Sequence, residues 1–209
     1  NAVDTLVKVE AAALNFADEI AIAGRYQDRI EPPFVPGNEL AGTVVETSAG
    51  SRFQPGDRVA CQVRSGAFAE YCAVASDRLM AIGDIDARAA AALPVSYTTA
   101  HVALFQKGNL TAGQTVLIHA ASGGLGVAAT QLARSAGARI IATAGSEEKR
   151  RFAIENGADH VIDFASRIGT KRSNHCLQMA STSWLIRSAA QLRNRVCGCS
   201  PGRENCSYA

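Results

Sequence analysis

The sequence predicts an α/β chain in two unlike parts with a foreign tail. A β-rich region fills 1–85. Connecting helices and the first half of a doubly wound parallel sheet fill 86–165, and a basic, cysteine-rich tail fills 166–209. Three observations carry this: short alternating segments separated by Gly/Pro turns at the start, a β-α-β-α-β order of apolar runs and amphipathic stretches after residue 115, and an abrupt change of composition near residue 166.

Residues 3–12, "VDTLVKVEAA", partly alternate apolar and polar positions, as a half-buried strand does. "NFADEIAIAG" (15–24) predicts a short helical turn closing on Gly24, and "EPPFVPGN" predicts a loop because each Pro disfavours helix at the residue before it. "LAGTVVETSAG" reads as a strand, and the turn in "FQPGDRVAC" leads into another at 58–63. "GAFAEYCAVA" reads as a strand with Ala67, Ala69, Tyr71 and Ala73 on one face. Strands of this length and spacing predict a small β-rich barrel or sandwich over 1–82.

"DIDARAAAALPVSYTTAHVALFQ" is alanine-rich and helical, interrupted at Pro94. "TVLIHAA" (115–121) is a continuous apolar run, the mark of a strand buried on both faces. "GLGVAATQLARSAGA" has helical periodicity and stops at Gly137; "RIIATAG", "SEEKRRFAIENGA" and "HVIDF" then supply strand, helix and strand. This order is half of a dinucleotide-binding domain.

The chain has 209 residues, 47% of them hydrophobic, enough for a real core. It contains no run of about 18 apolar residues, which predicts no membrane span. A start at Asn1, without a charged and apolar leader, predicts a fragment with no secretory signal. The net charge of +2 conceals an asymmetry. Residues 1–166 carry 14 basic and 18 acidic side chains, whereas 167–209 carry seven basic and one acidic, Glu204, together with four of the six cysteines.

"HAASGGLGV" (119–127) lies between a buried strand and an amphipathic helix, where unpaired helix amides and the helix dipole favour a pyrophosphate. Gly123 and Gly126 occupy the second and third positions of G-x-G-x-x-G, with Gly124 beside them. Ala121 stands at the first, where Ala substitutes if its φ stays negative. Ala121, Ser122, Gly123, Gly124, Leu125 and Gly126 are therefore the candidate phosphate-binding residues. At the end of the next strand an NAD site places Asp or Glu, about 20 residues on. This chain has Ala144, Gly145 and Ser146, with Lys149 behind them. That arrangement leaves room for a 2′-phosphate and favours NADPH, Ser146 donating to the phosphate and Lys149 supplying a cation. Ser146 as the helix N-cap is the other reading, and the two are compatible.

These segments, with "AALNFADEIAIAGRYQ", "PFVPGNELAGTVVE", "PGDRVA", "GAFAEY", "AAALPVSYTTAHVAL" and "GADHVID", resemble the zinc-independent NADPH:quinone oxidoreductases, the zeta-crystallin-like branch of the medium-chain dehydrogenase/reductase superfamily. The resemblance runs from about residue 3 to residue 164. It implies an N-terminal GroES-like catalytic domain, its N-terminus incomplete here, a Rossmann domain truncated here, and a cytoplasmic homodimer whose dimer surface is missing from this chain. It also implies Asn15 near the nicotinamide and the substrate carbonyl, Thr99 against the nicotinamide amide, and Tyr26 at the cleft mouth. Asn15 as a helix cap and Thr99 as an ordinary helix residue are the competing readings. Some members have a tyrosine five residues after the Asn, where this chain has Ile20.

In zinc members of the superfamily a Cys and a His ligate the metal where this chain has Asn15 and Asn38, and neutral amides are poor zinc ligands beside thiolate and imidazole. The expectation is a site without metal. Cys61 and Cys72 read as small buried hydrophobes. A hydride-transfer site with no Lewis acid suits an electrophile that already accepts electrons well, a quinone or an α,β-unsaturated carbonyl. A reductase of acyl-thioester enones is the alternative in the same class. A non-catalytic NADPH-binding protein, crystallin-like or binding single-stranded nucleic acid, is the alternative in another. His101, His119 and His160 lack a carboxylate or Cys partner at catalytic spacing, and His119 reads as a structural hydrogen-bonder.

After Phe164 no periodic apolar pattern persists, although "SWLIRSAAQL" suits a turn or two of helix. A shifted reading frame accounts for this: permitted codons for Arg167 onward encode Asp-Trp-Asp-Glu-Ala-Val-Lys and then Gly-Val-Asp-Val-Val-Val-Asp-Pro-Val-Gly-Gly, the strand the family expects. A basic nucleic-acid tail and a Cys197-Gly-Cys199 metal site are the alternatives, without aromatic interleaving or ligand spacing to support them. On this reading half of the sheet is missing, and its edge is left unpaired.

Overall fold

The structure, a computed structural model, describes residues 4–163 and, as backbone, 183–186. Its two compact units meet in sequence at Val95/Ser96.

The first unit is built on one antiparallel sheet of β1 (Asp4–Ala12), β2 (Glu39–Thr47), β3 (Arg58–Gln62), β4 (Tyr71–Ala75) and β5 (Met80–Ala81), in the order β4-β1-β2-β3-β5. Val7, Leu40, Val44, Val59, Cys61, Cys72, Val74 and Leu79 close its main core, with Phe53 beneath the β2–β3 turn. Helix α1 (Phe16–Ile22) ends at Gly24, whose φ of 65° stops the helix. Helix α2 (Ala87–Ala91) starts on Asp86, whose carboxylate accepts from the backbone N–H of Arg88 and Ala89. The segment expected as a strand from Gly66 pairs only from Tyr71. Cys72 and Val74 point to the core and Tyr71 and Ala73 are exposed, as in a half-buried edge strand, whereas Ala67, expected on the same face as Tyr71, lies before the strand and is fully buried.

The second unit winds a parallel sheet: β6 (Thr115–Ile118), β7 (Arg139–Ala144) and β8 (His160–Asp163), joined by α4 (Gly124–Ser135) and α5 (Glu147–Glu155). Helix α3 (Pro94–His101) opens with Pro at its first position, where the missing N–H costs nothing, and runs into a π-helical segment, Val102–Lys107. Val116, Ile118, Ile140 and Ala142 are fully buried beneath a helix face of Ala128, Ala129 and Ala133. Alanines let the helix lie close on the sheet, and each buried β-branched side chain contributes about 1.5–3 kcal/mol.

The tail corrects two expectations. Ser183–Ile186 is a strand, β9, where a helical turn was the reading. It pairs in parallel with β6, Val116 opposite Trp184, giving the order β8-β7-β6-β9. Strand β6 is therefore internal and paired on both sides, and the unpaired edge expected beside it is filled. A short apolar run such as "WLI" is ambiguous between strand and helix in sequence alone, and here it is a strand. The remaining tail positions, including Cys176, Cys197, Cys199 and Cys206 and the shifted frame, lie outside the described residues.

Candidate functional site

In the second unit the chain winds from β6 to β7 and β8 on one side and returns to β9 on the other, so the strand order reverses at β6. Open sheets bind ligands outside the carboxyl ends of strands at such a point, and residues 119–123 emerge there. The turn is made by Ala120, a non-glycine residue at φ 52°, one position before the residue expected to carry the tight turn. Ala121 is buried without positive φ, its N–H bonded to the Thr143 carbonyl at 3.2 Å. Gly126 is pressed onto this turn: a Cβ there would lie 2.5 Å from the Ala120 carbonyl oxygen and 2.6 Å from the Ala121 Cα. Gly123 is the N-cap of α4, and its N–H closes the turn onto the Ala120 carbonyl at 2.9 Å. Gly124, Leu125 and Gly126 open α4, so their N–H groups have no partner inside the helix. A Cβ on Gly124 would touch Ser96 Oγ at 3.4 Å. The result is a notch lined by backbone amides, which fits a diphosphate.

A groove of about 560 Å³ adjoins it, lined by Ser122, Glu148, Lys149, Arg151, Phe152 and Glu155. Ser146 is the N-cap of α5, its Oγ accepting from the Lys149 N–H at 3.3 Å. Arg150 is tied to Asp163 at 3.1 Å and Arg151 lies 3.9 Å from Glu155. The ammonium of Lys149 makes no ion pair among the described residues, which leaves it the cation available to an anion in the groove. No carboxylate closes the end of β7, where Ala144 and Gly145 stand. His119 is buried and its Nδ1 lies 2.9 Å from Thr143 Oγ1, so it ties β6 to β7 as expected of a structural hydrogen-bonder. Thr99 is exposed on α3.

The first unit holds a separate polar cluster. Asn15 is the N-cap of α1, and its N–H donates to Asp18 Oδ2 at 2.7 Å in a capping box. The Asn15 amide donates from Nδ2 to Glu39 Oε1 at 2.6 Å and to Asn38 Oδ1 at 3.1 Å. Glu39 is 1% exposed, and its other oxygen accepts from the Val95 N–H at 2.8 Å. Burial pushes the Glu39 carboxyl above its ordinary range. The hydrogen bonds from Val95 and Asn15 pull the other way, and the nearby Asp18 adds to the rise. Tyr26 stands outside this network at 37% exposure.

Sequence reasoning passed over Glu39 and Asp18. The signal was present: Glu39 heads a strand that is otherwise "LAGTVV", and a charge at the mouth of a buried run needs a partner. Asn15 and Asn38, expected from the places where other enzymes hold zinc, do sit together. Among the described residues no group of three or more His, Cys, Asp or Glu side chains is placed to hold a metal ion. Cys61 and Cys72 are buried free thiols; burial, and then Cys72, push Cys61 up to about 12, and burial raises Cys72 as well. No helix among the described residues is long and apolar enough to cross a membrane.

Residues 1–84 match the alcohol dehydrogenase GroES-like domain, and residues 124–180 match the zinc-binding dehydrogenase family, a match that continues past the composition break at 166. Rat (Rattus norvegicus) quinone oxidoreductase is 38% identical over 161 residues, covering 76% of this chain and 49% of the rat protein. The quinone oxidoreductase of Thermus thermophilus, solved with and without NADPH, superposes with a TM-score of 0.77 at 32% identity, over 90% of this chain and 59% of that one. The JamJ enoyl reductase superposes with a TM-score of 0.78 at 28% identity, over 88% and 58%. The chain spans about half the length of the curated relatives it matches. By sequence and fold it is similar to the quinone oxidoreductases of the medium-chain dehydrogenase/reductase superfamily, with a GroES-like unit followed by a Rossmann-type unit.

Proposed function

We propose that this chain, as a member of the quinone oxidoreductase branch, serves an NADPH-dependent reduction of quinones or α,β-unsaturated carbonyls. The amide notch at Ala121–Gly126, followed at the end of β7 by Ala144 and Gly145 in place of a ribose-binding carboxylate and by Ser146 and Lys149 at the start of α5, is the observation that carries the reading. NADPH would supply a hydride. The N–H groups of Gly124, Leu125 and Gly126 would hold its diphosphate, and Ser146 and Lys149 would face the 2′-phosphate. Thr99 would meet the nicotinamide amide, Asn15 would line the catalytic pocket and Tyr26 its mouth. Neutral amides in place of a metal suit substrates whose oxygen needs only hydrogen bonds as charge develops.

The similarity to an enoyl reductase supports acyl-thioester enones as the second substrate class. The test is loss of NADPH absorbance with duroquinone, cyclohex-2-enone and crotonyl thioester, alongside direct titration with NADPH and NADH. Turnover of one of the first two with tighter NADPH binding is the expected result. Turnover of the thioester alone transfers the assignment to enoyl reduction. NADPH binding without turnover of any of the three favours a binding protein.

A further inference from the structure

The cluster around Glu39 has a direction. A carboxylate only accepts hydrogen bonds, so both groups facing it must donate, and they do: Val95 through its backbone N–H and Asn15 through Nδ2. Asn15 Nδ2 has two N–H bonds. One goes to Glu39 and the other to Asn38 Oδ1, so Asn15 has no donor left. Asn38 is the mirror case. Its oxygen is occupied by Asn15, and its own NH₂ group has no acceptor among the described residues, although the residue is half-buried. An amide in that position loses hydrogen-bond energy unless water or a ligand meets it.

We propose that Glu39 fixes the direction of the Asn15 and Asn38 amides, so that Asn38, and not Asn15, donates the hydrogen bond to the substrate's carbonyl oxygen. This rests on the reductase reading above and refines it. In this order Asn38 is the cluster's open donor, and Asn15 and Glu39 are positioning residues. Asn15 on its own has the right chemistry for an oxyanion donor, but both of its N–H bonds are committed. The backbone reinforces the order, because the Asn38 carbonyl is itself pinned by the Val63 N–H at 2.9 Å and Glu39 begins the paired strand β2.

The test has two arms on the 209-residue chain. In side-chain amide ¹⁵N spectra, the Asn15 NH₂ protons exchange slowly and the Asn38 protons fast, and Glu39→Gln removes the Asn15 protection. In kinetics with NADPH and duroquinone, Asn38→Asp keeps the acceptor for Asn15 but loses the outward donor. Its kcat falls by about 10²–10³ with the NADPH dissociation constant unchanged, whereas Asn38→Ser, which keeps a hydroxyl donor, stays within about tenfold of the parent. A protected Asn38 and an open Asn15 overturn the proposal whatever the turnover. So do equal losses in the two Asn38 variants, a signature of mere packing. A parent chain that turns over neither quinone nor enone overturns the reductase reading, and with it the substrate role of Asn38; the spectra then decide the amide order alone.

Discussion

The amide notch of the second unit and the Glu39 cluster of the first both present hydrogen-bond donors, and they are built from opposite materials. The notch is backbone: its donors are peptide N–H groups at the start of α4, and its specificity lies in the side chains that are missing at Gly123, Gly124 and Gly126. The cluster is side chain: two amides ordered by one buried carboxylate. Backbone donors cannot be reversed or titrated, so the notch is broken by volume. Side-chain amides can turn over, so the cluster is broken by polarity and charge.

The largest effect should come from volume. Gly126→Val puts carbon against the Ala120 carbonyl at 2.5 Å, with backbone rather than a flexible side chain in the way. Overpacking of this kind costs about 1–3 kcal/mol or more. A lowered melting temperature and loss of NADPH binding are expected together, and an unchanged melt would break the contrast. The first-unit counterpart is Glu39→Leu, which leaves the Val95 N–H and the Asn15 amide without their acceptor, at about 1–3 kcal/mol by denaturant titration.

The next effect tests the charge. Burial raises the Glu39 carboxyl above 4.5, with Asp18 as the neighbouring acid and Asn15 and Val95 as the opposing donors. Between 4.5 and its folded value the native state holds a proton that the unfolded chain has released. Stability from this group is therefore complete below 4.5 and lost as pH rises through the folded value. The stability of the parent relative to Glu39→Gln should decline from pH 4 upward. Asp28, held below its ordinary range by the Arg64 hydrogen bond, acts in the opposite sense but is common to both proteins and cancels. A flat difference would show that the carboxylate is not desolvated.

Smaller effects sharpen the second unit. Lys149→Ala should weaken NADPH by about tenfold and leave NADH nearly unchanged, read by titration of each. Thr143→Val removes the His119 contact and should cost about 1 kcal/mol in denaturant titration without changing nucleotide affinity.

Much of the notch was legible because its signals are local: a buried apolar run, glycines at fixed offsets, a Ser three residues before Lys149. What escaped was the residue in the left-handed turn. Ala120 has no compositional mark, since an alanine at positive φ looks like any other alanine in the sequence. The cluster was legible only as residue types. Asn15 and Asn38 stood out from substitution logic, but their union through Glu39 depends on the pairing of β2 and on Val95, 56 residues away in sequence. Strand β9 escaped for a related reason: four apolar-leaning residues carry no period, and only the open side of β6 decides what they become.

The two buried thiols of the first unit bear on survival among reactive small molecules. Quinones and enones alkylate thiolates, and the anion is the attacking form. With Cys61 held to about 12, roughly one molecule in 10⁵ carries that anion at pH 7. Burial thus keeps the two nucleophiles of the β-sheet core in the form that such electrophiles do not attack.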